Sequence, residues 1–191
     1  ADLALAALGT VADCLPLIGV NRSLLVHGLQ QLRLNPSVGI KRLIKGSGVR
    51  QDSLGSYDLG FIIGPRINAA GRLSDPTDAL RLLCSTTVVQ AQKYSQILSE
   101  FNRQRQSLQQ ELIQKAQQQP PAPGDKLVFL ADESFHPGII GLIAGRLTEQ
   151  YALPSVVIST NGPISKGSCR SIEQLNIIAA LRLTSEHLLD L

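Results

Sequence analysis

Residues 126–172 read "KLVFLADESFHPGIIGLIAGRLTEQYALPSVVISTNGPISKGSCRSI", and this stretch decides the fold class. "KLVFLA" and "PSVVIST" are short apolar runs bounded by turn residues, the pattern of buried strands. "PGIIGLIAGRLTEQY" lies between them with the apolar spacing of a helix. "SKGSCRSI" predicts a polar strand or strand edge, and "EQLNIIAALRLTSEHLLDL" a closing helix. Strands that alternate with helices imply an α/β layer, a sheet covered by helices.

Upstream the pattern changes. Residues 88–119, "VVQAQKYSQILSEFNRQRQSLQQELIQKAQQQ", carry apolar residues at Tyr94, Ile97, Leu98, Phe101, Leu108, Leu112 and Ala116, near the helical period. A continuous helix here would be roughly 45 Å long at about 1.5 Å per residue. It stops at "PPAPGD", and its length suggests a strut between two domains. Polar Gln104 and Arg105 interrupt the stripe, which argues against a coiled-coil seam. Residues 1–87 read as short helices broken by glycine and proline. "RSLLVHGLQQLR" and "VGIKRLIKGSG" are two of them. "SYDLGFIIGPRINAAGRL" is a third, with Ser56 or Asp58 as candidate caps. In "SDPTDALRLLCS" Ser74 or Asp75 caps and Pro76 fits the first turn.

The chain has 191 residues, 43% of them hydrophobic and 17% charged, which suits a folded core and argues against disorder. A net charge of +3 is too small to mark a polyanion binder, so any nucleic-acid footprint must come from local clustering. Cys14, Cys84 and Cys169 are scattered and without paired spacing, so neither a disulfide framework nor a zinc site is indicated, and a reducing, cytoplasmic setting is expected. His27, His136 and His187 show no metal-ligand spacing. The absence of methionine and the amphipathic runs at both ends lead to the expectation of a fragment of a longer protein.

Four places have the residue types for chemistry. "GTVADCLPL" sets Asp13 among apolar residues, either as a turn or cap carboxylate or as a ligand to a divalent cation; one carboxylate cannot build a two-metal site. "SKGSCRSI" puts Lys166, Ser168 and Arg170 at i, i+2 and i+4, on one face of a strand. That offers a phosphate two cations and a hydroxyl, or else it is a charged strand edge that resists pairing. "SFHPGIIGLIAGRL" carries His136 and glycines at a helix entry, where free amides can meet an anion. "GPRINAAGRLSDP", residues 64–76, sets Arg66 and Arg72 beside Ala69, Ala70 and Gly71. The small residues would let a nucleic-acid backbone approach, or the arginines pair with Asp75 or Asp78.

In order, "ALGTVADCLPL", "SYDLGFIIGPRINAAGRL", the long polar helix, "HPGIIGLIAGRL" and "SKGSCRSI" resemble the RecJ single-stranded-DNA exonucleases of the DHH/DHHA1 phosphoesterase superfamily. The resemblance covers essentially the whole chain. It implies the helical end of a DHH domain over residues 1–87, a connecting helix over 88–119, and an incomplete α/β DHHA1 substrate-binding domain over 124–191. It also implies a two-metal Mn²⁺ or Mg²⁺ centre that activates water and stabilises the leaving oxygen, and 5′-to-3′ degradation of single-stranded DNA in repair or recombination. Asp13 then matches the last metal-binding aspartate and serves catalysis. Ser168 and Arg170, with Lys166 beside them, match the element that holds a terminal 5′ phosphate. Arg66, Asn68 and Arg72 line the strand path, and His136 has a substrate-side role. Single-strand-binding protein or replication and repair proteins are the implied partners.

The chain departs from the family pattern in three respects. It lacks the Asp-His-His motif and the earlier aspartates, and it lacks a Gly-Gly-His element. Cys169 stands where glycine is frequent, which suggests a tighter phosphate pocket. The chain by itself is therefore expected to be inactive. A rival expectation is a non-catalytic RecJ-like subunit that binds nucleic acid or a replication complex.

Overall fold

A computed structural model describes residues 2–190. The chain forms two compact units, Ala1–Arg105 and Gln106–Leu191, and the dividing point lies inside one long helix.

In the first unit α1 (Asp2–Ala12) and α2 (Gly19–Leu34) pack closely. A side chain at Gly28 would strike the Leu3 carbonyl and Ala7, so only glycine permits this crossing. Next, α3 (Val38–Ser47) starts at Ser37, whose hydroxyl accepts from Ile40 N, and stops at Gly48 in the left-handed region. A short 3-10 turn (Gln51–Ser53) leads into one helical run that contains Asp58–Ile63 and α4 (Gly64–Leu73). Asp58 does cap this run, but from inside it: its carboxylate accepts from Gly55 N at 2.8 Å, as in the second half of a capping box. Asp58–Ile63 is a π-helix, and Gly64 N reaches back to Leu59 O. Pro65 explains the wider turn, because its ring has no N–H for the usual bond and crowds the carbonyl four residues back.

Asp75 then takes the N–H and the hydroxyl of Thr77, at 2.8 and 2.5 Å, and α5 (Thr77–Leu83) follows. The long helix α6 runs over Val88–Gln117. Its first part supplies Ala91 and Leu98 to a core that also holds Leu32, Leu43, Leu54, Leu59, Ile63, Ala70 and Leu82.

The second unit has the α/β character that the strand–helix alternation implies. Strands β1 (Val128–Asp132), β2 (Ser155–Ser159) and β3 (Lys166–Arg170) pair in that order among the described residues, β1–β2 parallel and β2–β3 antiparallel. Helix α7 (Ile140–Tyr151) makes the crossover between β1 and β2 and packs on β2 and β3. Phe135, Ile139, Ile143, Ala144 and Leu147 are buried with Val128, Leu130 and Val157 beneath it.

The expected closing helix does not form as one element. Among the described residues only α8 (Ile177–Arg182) and a 3-10 turn (Ser185–His187) appear there, and α8 buries none of its residues. A run that gains no packed face has too little to offset the cost of nucleating a helix. No helix among the described residues is long and apolar enough to cross a membrane.

Candidate nucleic-acid interface

Strand β3 lies antiparallel to β2, with Ser155 opposite Arg170, Val157 opposite Ser168 and Ser159 opposite Lys166. Alternation therefore puts Lys166, Ser168 and Arg170 on the sheet face that buries Ser155, Val157 and Ser159. This is the face against α7. A methyl group on Gly141 would lie 3.0 Å from Ser168 Oγ and 3.7 Å from an Arg170 Nη, and one on Gly145 would lie 3.8 Å from Arg170 Nε. The two glycines are one helical turn apart, and they make the space in which the Arg170 side chain lies along the helix. Ser168 is half-buried, while Arg170 and Lys166 are exposed. No carboxylate among the described residues pairs with either cation; Arg170 Nη1 donates only to the Cys169 carbonyl, at 3.3 Å.

Cys169 lies opposite Val156, on the other sheet face, so it does not tighten this pocket. Burial pushes its thiol up, against the opposing pull of Arg170, and keeps it protonated.

His136 sits at the entry to α7. Its carbonyl accepts from Ile139 N and Ile140 N, and its Nδ1 accepts from Gly138 N at 3.1 Å. The ring thus fixes the turn and leaves Nε2 as its protonated nitrogen. Nearby, Asp132 at the end of β1 accepts from Lys115 Nζ at 2.8 Å and from Ser134 N and Oγ at 2.8 and 2.7 Å. The Lys115 ammonium, and then Ser134, hold its carboxyl down at about 2. Sequence reading did not single out this pair, because its partners are 17 residues apart.

In the first unit, Arg66 and Arg72 are half-buried on α4 and Asn68 is exposed. Asn68 and Arg72 line a shallow groove with Ile67, Gly71, Pro76 and Leu80. Arg66 Nη1 donates to the Ile62 carbonyl at 2.6 Å, and its buried Nε has no partner. Desolvation lowers the Arg66 pKa, and it lowers that of Arg105 on α6 as well, where the Arg72 and Arg66 charges add to the effect. Three guanidiniums therefore share one neighbourhood. Arg105 is held by the Asn102 Oδ1, at 3.2 and 3.0 Å from its Nε and Nη2, and Asn102 is 4% exposed. This contact is to a neutral amide, so it orients the guanidinium without itself adding a counter-charge.

The expected pairing of the α4 arginines with Asp75 or Asp78 is not seen. Asp78 takes Arg81 at 3.0 Å, and Asp75 takes Thr77. The expected role of the small residues also needs correction: Ala69 and Ala70 are fully buried and face the core. They are small so that α4 can pack, and Gly71 alone of the three is exposed. Arg105 was missed because it reads as part of a polar helix face; only the fold brings it beside Arg66 and Arg72.

Asp13 is exposed rather than enclosed by the apolar residues around it in sequence. It ends α1: Cys14 N bonds to Val11 O and Leu15 N to Thr10 O, with Cys14 in the left-handed region at φ 54°. This is a Schellman stop with Asp13 as the cap residue. A carboxylate at the negative end of a helix dipole is poorly placed for stability, and a cation would relieve it. Its oxygens suit a hard divalent ion. Yet no group of three or more His, Cys, Asp or Glu among the described residues stands together to hold a metal. Asp13 can be one ligand, and the described residues do not complete a two-metal set.

Comparison with known proteins gives a consistent picture. No family model matches the chain. The single-stranded-DNA-specific exonuclease RecJ of Thermus thermophilus is 35% identical over 97% of this chain and 27% of its own length. RecJ of Dickeya dadantii is 36% identical over 97% of this chain and 34% of its own length, and RecJ of Bacillus subtilis is 32% identical over 94% and 23%. The chain thus spans about a quarter to a third of these relatives. The crystal structure of Thermus thermophilus RecJ with Mg²⁺ covers 98% of the chain at a TM-score of 0.89 and 34% identity, using 29% of that structure. A manganese-bound exonuclease RecJ covers 94% at 0.79, using 46%.

Proposed function

We infer, for a chain that belongs to the RecJ family, a role on single-stranded DNA as part of a metal-dependent 5′-to-3′ exonuclease. The second unit takes the 5′-terminal phosphate and the first takes phosphates along the backbone. The observation that supports this reading best is the shared face of Ser168 and Arg170 under Gly141. A hydroxyl and an unpaired guanidinium converge there, and each is a donor to phosphate oxygens. In the first unit Arg66, Arg72 and Arg105, with Asn68 at the groove, supply charge with no base-reading geometry, so little sequence preference is expected. Lys166 adds a second cation at the terminal pocket. His136 fixes the turn into α7 through its Nδ1, and its Nε2 is the nitrogen for a substrate-side role. Asp13 is the one carboxylate in the described residues that we assign to a Mn²⁺ or Mg²⁺ centre.

The division into a DHH portion over 1–87, a connecting helix over 88–119 and a DHHA1 portion over 124–191 belongs to the same proposal. So does a cytoplasmic place in DNA repair or recombination, with single-strand-binding protein or replication and repair proteins as partners.

The test is equilibrium binding by the 191-residue chain of a labelled single strand with a 5′ phosphate, the same strand with a 5′ hydroxyl, and a duplex of equal length, at one stated salt concentration. The phosphorylated single strand should bind tightest. Equal affinity for all three would overturn the reading. With one candidate metal carboxylate, the chain should release no nucleotides in Mn²⁺. Metal-dependent release that disappears in Asp13→Ala would show that the chain completes a metal centre unaided.

A further inference from the structure

Tyr57 and Phe61 are a stacked pair on the surface of the first unit, with ring centroids 4.9 Å apart and planes 27° from parallel. They are 66% and 71% exposed in a chain that has only three tyrosines, four phenylalanines and no tryptophan. The other described aromatics, apart from Phe129, are buried or half-buried. Single exposed apolar residues need no explanation, but two exposed rings ordered against each other leave their outer faces open to solvent.

Their support is rigid. Leu59 and Ile63 on the same π-helix are 1% exposed and anchor it in the core. A methyl group on Gly60 would lie 3.2 Å from Val11 of α1, and one on Gly64 would lie 3.6 Å from Ala12. The π-helix is therefore seated against the end of α1, immediately before Asp13. The Arg66 guanidinium bonds to the carbonyl of Ile62, the residue after Phe61. The backbone that carries the rings thus also holds the Arg66 guanidinium, one residue beyond Phe61.

We propose that Tyr57 and Phe61 form a stacking platform for an unpaired base of single-stranded nucleic acid. The inference rests on the proposed single-strand reading and adds a base contact to its phosphate contacts. Every base has a π face, so such a platform binds without sequence preference, and Arg66, whose Nε has no partner, is the cation placed to meet a flanking phosphate. The chain's net charge of +3 favours a polyanion over a second copy of this chain, which carries the same charge.

The test compares oligothymidylate with an abasic deoxyribose-phosphate oligomer of equal length and charge. Phe61→Ala should weaken oligothymidylate binding about fivefold or more and leave the abasic oligomer unchanged, and Tyr57→Ala should act in the same direction. Phe61→Trp should bind like the unaltered chain. Because the chain has no other tryptophan, its emission should be quenched by oligothymidylate and not by the abasic oligomer. Equal losses on both oligomers, or no loss on either, would overturn the platform while leaving the arginines as strand contacts. Binding of neither oligomer by the unaltered chain would remove the single-strand reading and the platform together. A dimer in sedimentation that becomes monomeric in Phe61→Ala would reassign the rings to self-association.

Discussion

The arginine cluster of the first unit and the Ser168–Arg170 pocket of the second both concentrate positive charge, but they are built on opposite plans. Arg170 is exposed, projects from a strand, and meets only a carbonyl. Arg66 and Arg105 are half-buried, desolvated, and held by a carbonyl and by the amide of Asn102. Ser168 and Arg170 place a hydroxyl and a guanidinium two residues apart on one strand face, which suits the end of a strand with its doubly charged monoester. The cluster spreads like charges along two helices, which suits a succession of singly charged diesters.

The sharpest way to break this comparison is to remove one arginine from each site. Arg170→Ala should erase most of the preference for a 5′ phosphate over a 5′ hydroxyl, about tenfold or more. Charge-assisted bonds are worth roughly 1.5–3 kcal/mol, and 1.4 kcal/mol is a decade in affinity. Competition binding at fixed salt reads this directly. An equal loss for both ends would reduce residues 165–172 to a basic strand edge.

Arg105→Ala should give the complementary result: a loss of about three- to fivefold that is the same for both ends. The slope of log affinity against log salt should fall by about one, as one phosphate contact is lost. Asn102→Ala should reproduce part of this loss, because it removes a contact that orients the guanidinium and leaves its charge in place. A loss confined to 5′-phosphorylated strands would move Arg105 into the terminal site.

A smaller effect separates the two glycines of α7. In Gly141→Ala the new methyl would meet Ser168 Oγ at 3.0 Å, closer than ordinary contact, so the hydroxyl must shift. In Gly145→Ala the nearest Arg170 atom is at 3.8 Å, an ordinary contact. The first change should lower the 5′-phosphate preference about two- to fourfold, and the second should leave it within error. Equal effects would mean that Ser168 does not touch the phosphate.

The two plans also differ in how far the sequence reveals them. A strand has a period of two, so the spacing of Lys166, Ser168 and Arg170 put them on one face before any fold was known. The glycine-marked helix that covers them was legible for the same local reason. The arginine cluster needs Arg105, which lies 33 residues beyond Arg72 on another helix, and no local period links them. Ala69 and Ala70 were misread because smallness serves close packing and ligand access alike, and only burial distinguishes the two. The π turn at Asp58–Ile63 was not legible either, although Pro65 is its physical cause. At the C-terminal end the apolar spacing of residues 173–191 was read as one helix, yet α8 stops at Arg182 with nothing buried.

The smallest expected effect concerns the frame of the pocket. Asp132 ties the end of β1 to Lys115 on α6, and its carboxyl is held at about 2, below the usual value near 4 for an aspartate. A carboxylate whose folded value is depressed adds stability that is complete above its unfolded value. That stability is lost as pH falls through the folded one. The tie should therefore hold at pH 5 and above and weaken progressively from about pH 4 towards pH 2. Global melting is a poor readout, because Asp52 beside Arg50 and Asp75 beside Thr77 in the first unit shift in the same direction. Amide exchange over residues 128–134 is specific. Protection there should decline with acid in the unaltered chain and vary less in Asp132→Asn, which keeps the shape and removes the charge. Exchange near Asn102 and Arg105 should be the same in both. If Asp132→Asn leaves the acid response of residues 128–134 unchanged, the Lys115 contact does not stabilise the strand that leads into the pocket.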